Sequence, residues 1–213
     1  MNRSMISQRI SSILDDIQRL TNALYAMNTT DIQRYPDNYE VLSTDAALRA
    51  EKVTCRLRHL IYSSTAVKKA DYLASAATAQ GIKVRYEDGV FEVTLPGMLP
   101  KRKQWQSAEY LLDSLEAALS QYARGHPLPH FEHCVIAFSL IYNRDLPERR
   151  IRDYDNLELK QVQDLIAAFV LTDDTGALCD AYHTTTLGNT DQTCVSIMDR
   201  ERFPVWLTAQ KTE

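Results

Sequence analysis

Two acidic pairs, Asp153/Asp155 and Asp173/Asp174, are the residues of this sequence best suited to chemistry. Clustered carboxylates repel at neutral pH unless a hard cation bridges them. Magnesium suits the role, taking one or two carboxylates and completing its octahedron with water and phosphate oxygens. One or two such ions activate water and stabilise the departing oxygen in phosphodiester hydrolysis. Arg149, Arg150 and Arg152 lie just upstream, and guanidinium forks grip phosphates well. Lys160 follows, about one turn into the next helix, where it can face a metal-bound water or the departing oxygen.

Each pair also has a plainer reading. Asp153-Tyr-Asp155-Asn156 before an apolar helix is the composition of an N-cap, and Asp173-Asp174-Thr-Gly176 is the composition of a turn. Phe169-Val-Leu-Thr-Asp173-Asp174 imitates the strand that holds magnesium in nucleotide hydrolases. The phosphate loop Gly-x-x-x-x-Gly-Lys-Ser/Thr that must accompany it does not occur, which removes that class. A small-nucleotide phosphohydrolase lacks support for the related reason that only six glycines are present. His126, His130 and His133 with Cys134 match no tetrahedral zinc spacing.

Simple geometry can join the two pairs. A helix from Asn156 to Ala168 is about 20 Å long at roughly 1.5 Å per residue. An extended return from Phe169 to Asp174 is also about 20 Å, at roughly 3.3 Å per residue. If that return runs antiparallel to the helix, three or four carboxylates meet near the helix start.

The elements around this site are legible. Ile82–Glu87 alternates apolar and polar, Asp88-Gly89 is a two-residue hairpin turn, and Val90–Leu95 runs back. Ser107–Tyr122 is helical by period, and His133–Tyr142 is an apolar run suited to a buried strand. Leu157–Ala168 is helical, Phe169–Leu171 reads as a short strand, and Leu178–Leu187 and Thr193–Met198 are further strands. Upstream, Ile6, Ile10, Ile13, Ile17, Leu20, Leu24 and Met27 recur in steps of four and three. That stripe predicts a helix packed lengthwise on another helix, within the chain or across a dimer seam. Helices over about 44–62, with Leu48, Val53, Leu57, Leu60 and Ile61 inward, and over about 65–80 follow. The expected organisation is a helical bundle over 1–80, an α/β domain over 82–207 and a tail over 208–213.

Composition sets the boundaries. Apolar residues make up 45% and charged residues 24%, as in globular domains. No apolar run is long enough to span a bilayer, so a soluble, cytoplasmic protein is expected. The four scattered cysteines form no C-x-x-C pair and read as reduced, mostly buried side chains. The net charge of −4 argues against a generic polyanion binder. Basic residues nevertheless gather at Lys101-Arg102-Lys103 and at Arg144–Arg152.

The order of these pieces resembles the RusA-like Holliday-junction resolvases over about residues 90–200. The residues that carry the resemblance are Thr94-Leu95-Pro96, the run Pro147-Glu-Arg-Arg-Ile-Arg-Asp-Tyr-Asp-Asn-Leu157, Lys160, and Asp173-Asp174. Lys160 stands one position beyond the family spacing, where Leu159 takes the matching place. The expected chain is α+β: the N-terminal helical segment read above, which is additional to the family's pattern, then, as the resemblance implies, a RusA-like domain with a small mixed sheet packed by helices. It further implies a magnesium- (or manganese-) dependent endonuclease acting as a homodimer on branched DNA in recombination or repair. Asp153, Asp155 and Asp174 would be the metal ligands with Asp173 in support, and Lys160 the catalytic lysine. Arg149, Arg150, Arg152, Lys101, Arg102 and Lys103 would bind DNA. The alternative from another class is a non-catalytic descendant, a DNA-binding or protein-interaction module. Its partner surface would be the N-terminal helix through Ile6, Ile10, Ile13, Ile17, Leu20 and Leu24.

Overall fold

A computed structural model describes residues 3–100, 105–148 and 151–210. The fold is α+β, with N-terminal helices followed by a five-stranded mixed sheet packed by helices. The chain divides into two compact units, Met1–Lys69 and Ala70–Glu213. Among the described residues, no helix is long and apolar enough to cross a membrane.

The first unit is a pair of long helices, α1 (Arg3–Thr29) and α2 (Pro36–Ser64). Pro36 opens α2 at a position where its missing N–H would have no intrahelical partner anyway. Arg9 meets Ser63 while Asp16 meets Lys52 and Arg56, so the helices run antiparallel. The seam buries Ile13, Asp16 and Ala23 from α1 and Ala46 and Val53 from α2. Asp16 is its polar centre, accepting from Lys52 Nζ at 3.0 Å and from Arg56 Nη1. The Lys52 hydrogen bond, helped by Arg56 and opposed by burial, holds the Asp16 carboxyl below its usual range.

The expected apolar stripe is only half used. Ile13 is buried and Leu20 and Met27 are half-buried, whereas Ile10, Ile17 and Leu24 are 42%, 38% and 50% exposed. On α2, Leu48 and Leu57 are likewise exposed rather than inward. Two helices share a single seam, and an apolar face wider than about 100° needs a second neighbour to cover it.

The second unit begins one residue into α3 (Lys69–Gln80), which the sequence pattern groups with the helices before it. Its Ala77 lies in the same core as Ile82 and the sheet residues Phe91 and Val93. Gly81, at φ 82°, ends α3 in a Schellman arrangement: Ile82 N–H donates to Ala77 and Gly81 N–H to Thr78, each at 3.0 Å. The chain then enters β1 (Lys83–Glu87) and β2 (Val90–Pro96). Asp88 and Gly89 both have positive φ, 50° and 75°, the signature of the type I′ turn that matches strand twist.

Helix α4 (Trp105–Gly125) leads to β3 (Cys134–Asn143), and α5 (Leu159–Val170) leads to β4 (Cys179–Gly188). Strand β5 (Gln192–Asp199) and α6 (Phe203–Gln210) complete the unit. Strand order is β1-β2-β5-β3-β4, antiparallel throughout except between β3 and β4. The parallel pair needs a crossover, and α5 supplies it. Leu115 and Leu119 of α4 and Val162, Ile166 and Val170 of α5 share one core with Phe138, Leu140 and Ile197 of the sheet. Trp206 and Phe203 of α6 cover the opposite face at Ala137, Met198 and Tyr182. Strand β3 is therefore enclosed on both faces, which explains its largely apolar sequence, broken before its end only by Ser139. Of the cysteines, Cys134 and Cys179 are buried and Cys194 half-buried, while Cys55 is exposed.

Candidate functional site around helix α5

The acidic residues lie on either side of α5. Asp153 stands at the start of a single 3-10 turn, Tyr154–Asn156, and makes no side-chain cap bond; Asp155 lies within the turn. Both are exposed, and neither has an ion-pair partner among the described residues. The turn is held from below. Tyr154 Oη shares a hydrogen bond with Thr185 Oγ1 at 3.0 Å, and its ring lies 5.1 Å from that of His183. Arg152 N–H donates to Tyr142 Oη at 3.2 Å, fixing the exit of the arginine-rich loop.

Leu157 then passes in extended conformation into the core, so α5 starts at Leu159, not at Asn156. The N-cap is Glu158, whose Oε1 accepts from Gln161 N at 3.3 Å. The capping alternative for Asp153 and Asp155 is thus corrected: a buried glutamate that composition did not single out takes that role. Glu158 N–H also donates to the Pro100 carbonyl at 2.9 Å, which ties the residue preceding Lys101 to the start of α5.

Lys160 is the first cation of the helix. Its Nζ lies 2.8 Å from Asp164 one turn on, and this hydrogen bond is the main cause of its raised pKa, with Asp174 adding a smaller attraction. Asp174 is half-buried, and Gln163 Nε2 donates to its Oδ2 at 3.5 Å. Asp173 accepts from Thr175 N at 3.2 Å in a local turn and faces solvent. Asp174 and Lys160 are therefore neighbours on one flank of α5, while Asp153 and Asp155 sit at the turn before it. Gln163 and Asp164 join the site unforeseen; the Lys160-to-Asp164 spacing of four was a readable signal.

The expected antiparallel return strand does not form. Helix α5 continues through Phe169 and Val170, and Leu171 makes only an isolated bridge with Phe131. Phe131 N–H donates to Val170 at 2.8 Å and Thr172 N–H to Phe131 at 3.0 Å. This leaves too little chain before Asp174 to climb the whole helix. Among the described residues, no three His, Cys, Asp or Glu side chains gather closely enough to hold a metal ion. The four aspartates do not fit a preassembled cage for magnesium or manganese. Arg149, Arg150, Lys101, Arg102 and Lys103 lie outside the described residues.

The chain matches a family of unknown function (DUF6100) over residues 2–213. It belongs to that family. The match spans both units, so α1 and α2 are part of the family's own architecture. No curated protein matches the sequence.

Proposed function

We propose that the second unit is a metal-dependent endonuclease domain acting, as a homodimer, on branched, Holliday-junction-like DNA in recombination or repair. The observation that carries this reading is the placement of Asp174 on the α5 flank beside Lys160, with the Asp153–Asp155 turn directly preceding the same helix. The sequence of elements, with β2 ending in Leu95-Pro96, then α4, β3, the arginine-rich loop, the acidic turn, α5 and Asp173-Asp174, supports it.

Repulsion between carboxylates holds them apart when no cation offsets it. The reading therefore requires the acidic turn and Asp174 to converge when cation and DNA phosphate arrive together. It also requires Lys160 to exchange Asp164 for substrate. The net negative charge is compatible, because DNA affinity follows the number of local phosphate contacts.

A second reading, a non-catalytic DNA-binding or protein-interaction module, is favoured by the Lys160–Asp164 pair and by the exposed row Ile10, Leu14, Ile17 and Leu24 on α1. Cleavage of a labelled four-way junction with Mg²⁺ or Mn²⁺ separates the two. The nuclease reading expects metal-dependent cutting that Asp155→Asn abolishes. Binding without cutting gives the second reading, and neither binding nor cutting overturns the DNA assignment.

A further inference from the structure

The two edges of the sheet are built differently. Edge strand β1 has five residues, and Lys83, Arg85 and Glu87 on it are exposed charges. Short length and charge are the usual devices that stop an edge from pairing with another strand. Edge strand β4 is twice as long and carries one charge. It runs ten residues in unbroken register with β3, from Cys134↔Cys179 to Asn143↔Gly188, without a bulge, proline, lysine or arginine. Its single charge, Asp180, sits near one end and is held by Arg200 Nε at 2.7 Å.

The ladder fixes which groups face outward. Leu178 and Gly188 give their carbonyls to Cys134 N–H and Arg144 N–H, each at 2.9 Å, on the β3 side. Alternate residues of a strand direct their backbone groups to opposite sides. Ala181, His183, Thr185 and Leu187 therefore point N–H and C=O away from the sheet. Among the described residues, none of these groups has a backbone partner.

We propose that this edge binds the same edge of a second copy of the chain, antiparallel, about a two-fold axis at Thr184. The occupant follows from self-complementarity. With the axis at Thr184, all four outward residues meet outward residues: His183 opposes Thr185 of the partner copy, and Ala181 opposes Leu187. That gives roughly eight backbone hydrogen bonds, two for each directly bonded pair. Between these rungs Thr184 faces its own copy, and Tyr182 faces Thr186, an aromatic–β-branched pair of the favourable kind. No charged residues oppose each other from 181 to 187. Leu187, 48% exposed, gains a small apolar neighbour in Ala181. The pairing joins two five-stranded sheets into one of ten, with closed two-fold symmetry. The nuclease reading also calls for a homodimer, and this pairing gives that homodimer its interface. The pairing is carried by strand chemistry and its test reads mass, not cleavage, so the two can fail separately.

The test is the solution mass of the full chain and of two opposite variants. Wild type should have twice 24.3 kDa at tens of micromolar. Thr184→Lys and Thr184→Glu each set like charges face to face across the axis and should be monomeric. Mixing the two variants should restore the dimer, which also shows that both remain folded. As a second measurement, Thr184→Cys should form a reducible covalent dimer that wild type and Thr186→Cys do not, since directly opposed, non-bonded strand residues lie about 4.5 Å apart. A monomeric wild type, charged variants that both stay dimeric, or no cross-link at position 184 would each overturn the proposal.

Discussion

Gly188 closes β4 where the arginine-rich loop begins, and replacing it with alanine tests the packing there. Its carbonyl accepts both Arg144 N–H at 2.9 Å and Arg144 Nε at 3.3 Å. A Cβ added at this position would lie 2.5 Å from Ile141 Cγ2, against about 3.5–4.0 Å for relaxed carbon contacts. The methyl cannot swing aside cheaply, because Ile141 is β-branched and stiff about its first torsion. Overpacking of this kind costs about 1–3 kcal/mol. Removing a glycine from the unfolded chain returns about 0.4–1 kcal/mol. The clash wins, so Gly188→Ala should destabilise by about 0.5–2 kcal/mol, or roughly 2–6 °C in melting temperature for a unit of this size. The decisive comparison is the same substitution in an Ile141→Ala background, where the clashing methyl is gone. There Gly188→Ala should be neutral or stabilising, giving a coupling of about 1–2 kcal/mol in urea denaturation. Equal costs in the two backgrounds, or a stabilising effect in wild type, would refute the contact.

Two further substitutions address the first unit and the site. Asp16→Asn removes a carboxylate whose pKa is lowered by Lys52 and Arg56. A depressed carboxyl stabilises the fold above its unfolded pKa, near 3.8, and loses that contribution as pH falls through the folded value. The urea midpoint of Asp16→Asn should therefore lie below wild type at pH 7 and converge with it in acid; a constant gap would remove the ionic account. Glu158→Ala removes the cap of α5 and should cost about 0.5–2 kcal/mol, toward the lower end because its bond to Gln161 is long. Glu158→Gln keeps the acceptor and should cost less; equal melting temperatures for the two variants would show that the cap contributes nothing.

The sheet was readable because its signals are local. Asp88-Gly89 between alternating strands admits a hairpin and little else, and β3 declares its burial by lacking polar residues along most of its length. The helical register was harder. In α1 the sequence shows an apolar band, but only the partner helix decides which half of it is covered. The seam fell on Ile13, Asp16 and Ala23, with Ile10, Ile17 and Leu24 left outside. The end of α5 misled for another reason. Phe169-Val-Leu171 has strand-forming side chains, yet Val170 follows Ile166 by four residues, and burial of that helical row in the core outweighs local preference.

The candidate site shows the limit of reasoning from spacing. The interval between Asp155 and Asp173 permits the two pairs to meet only if the helix starts and stops where the cap-like residues suggest. It starts later, because Leu157 is drawn into the core and Glu158 caps in place of an aspartate, and it stops later, because Val170 is buried. Each shift lengthens the path between the carboxylates and shortens the return. What survives is the pairing of Asp174 with the α5 flank, which needs only the short turn after Leu171. Lys160 gains its partner the same way, from a residue four positions along the same helix. Contacts set by a few neighbouring residues were within reach of the sequence; the convergence of two distant turns depends on where the core ends the helix between them.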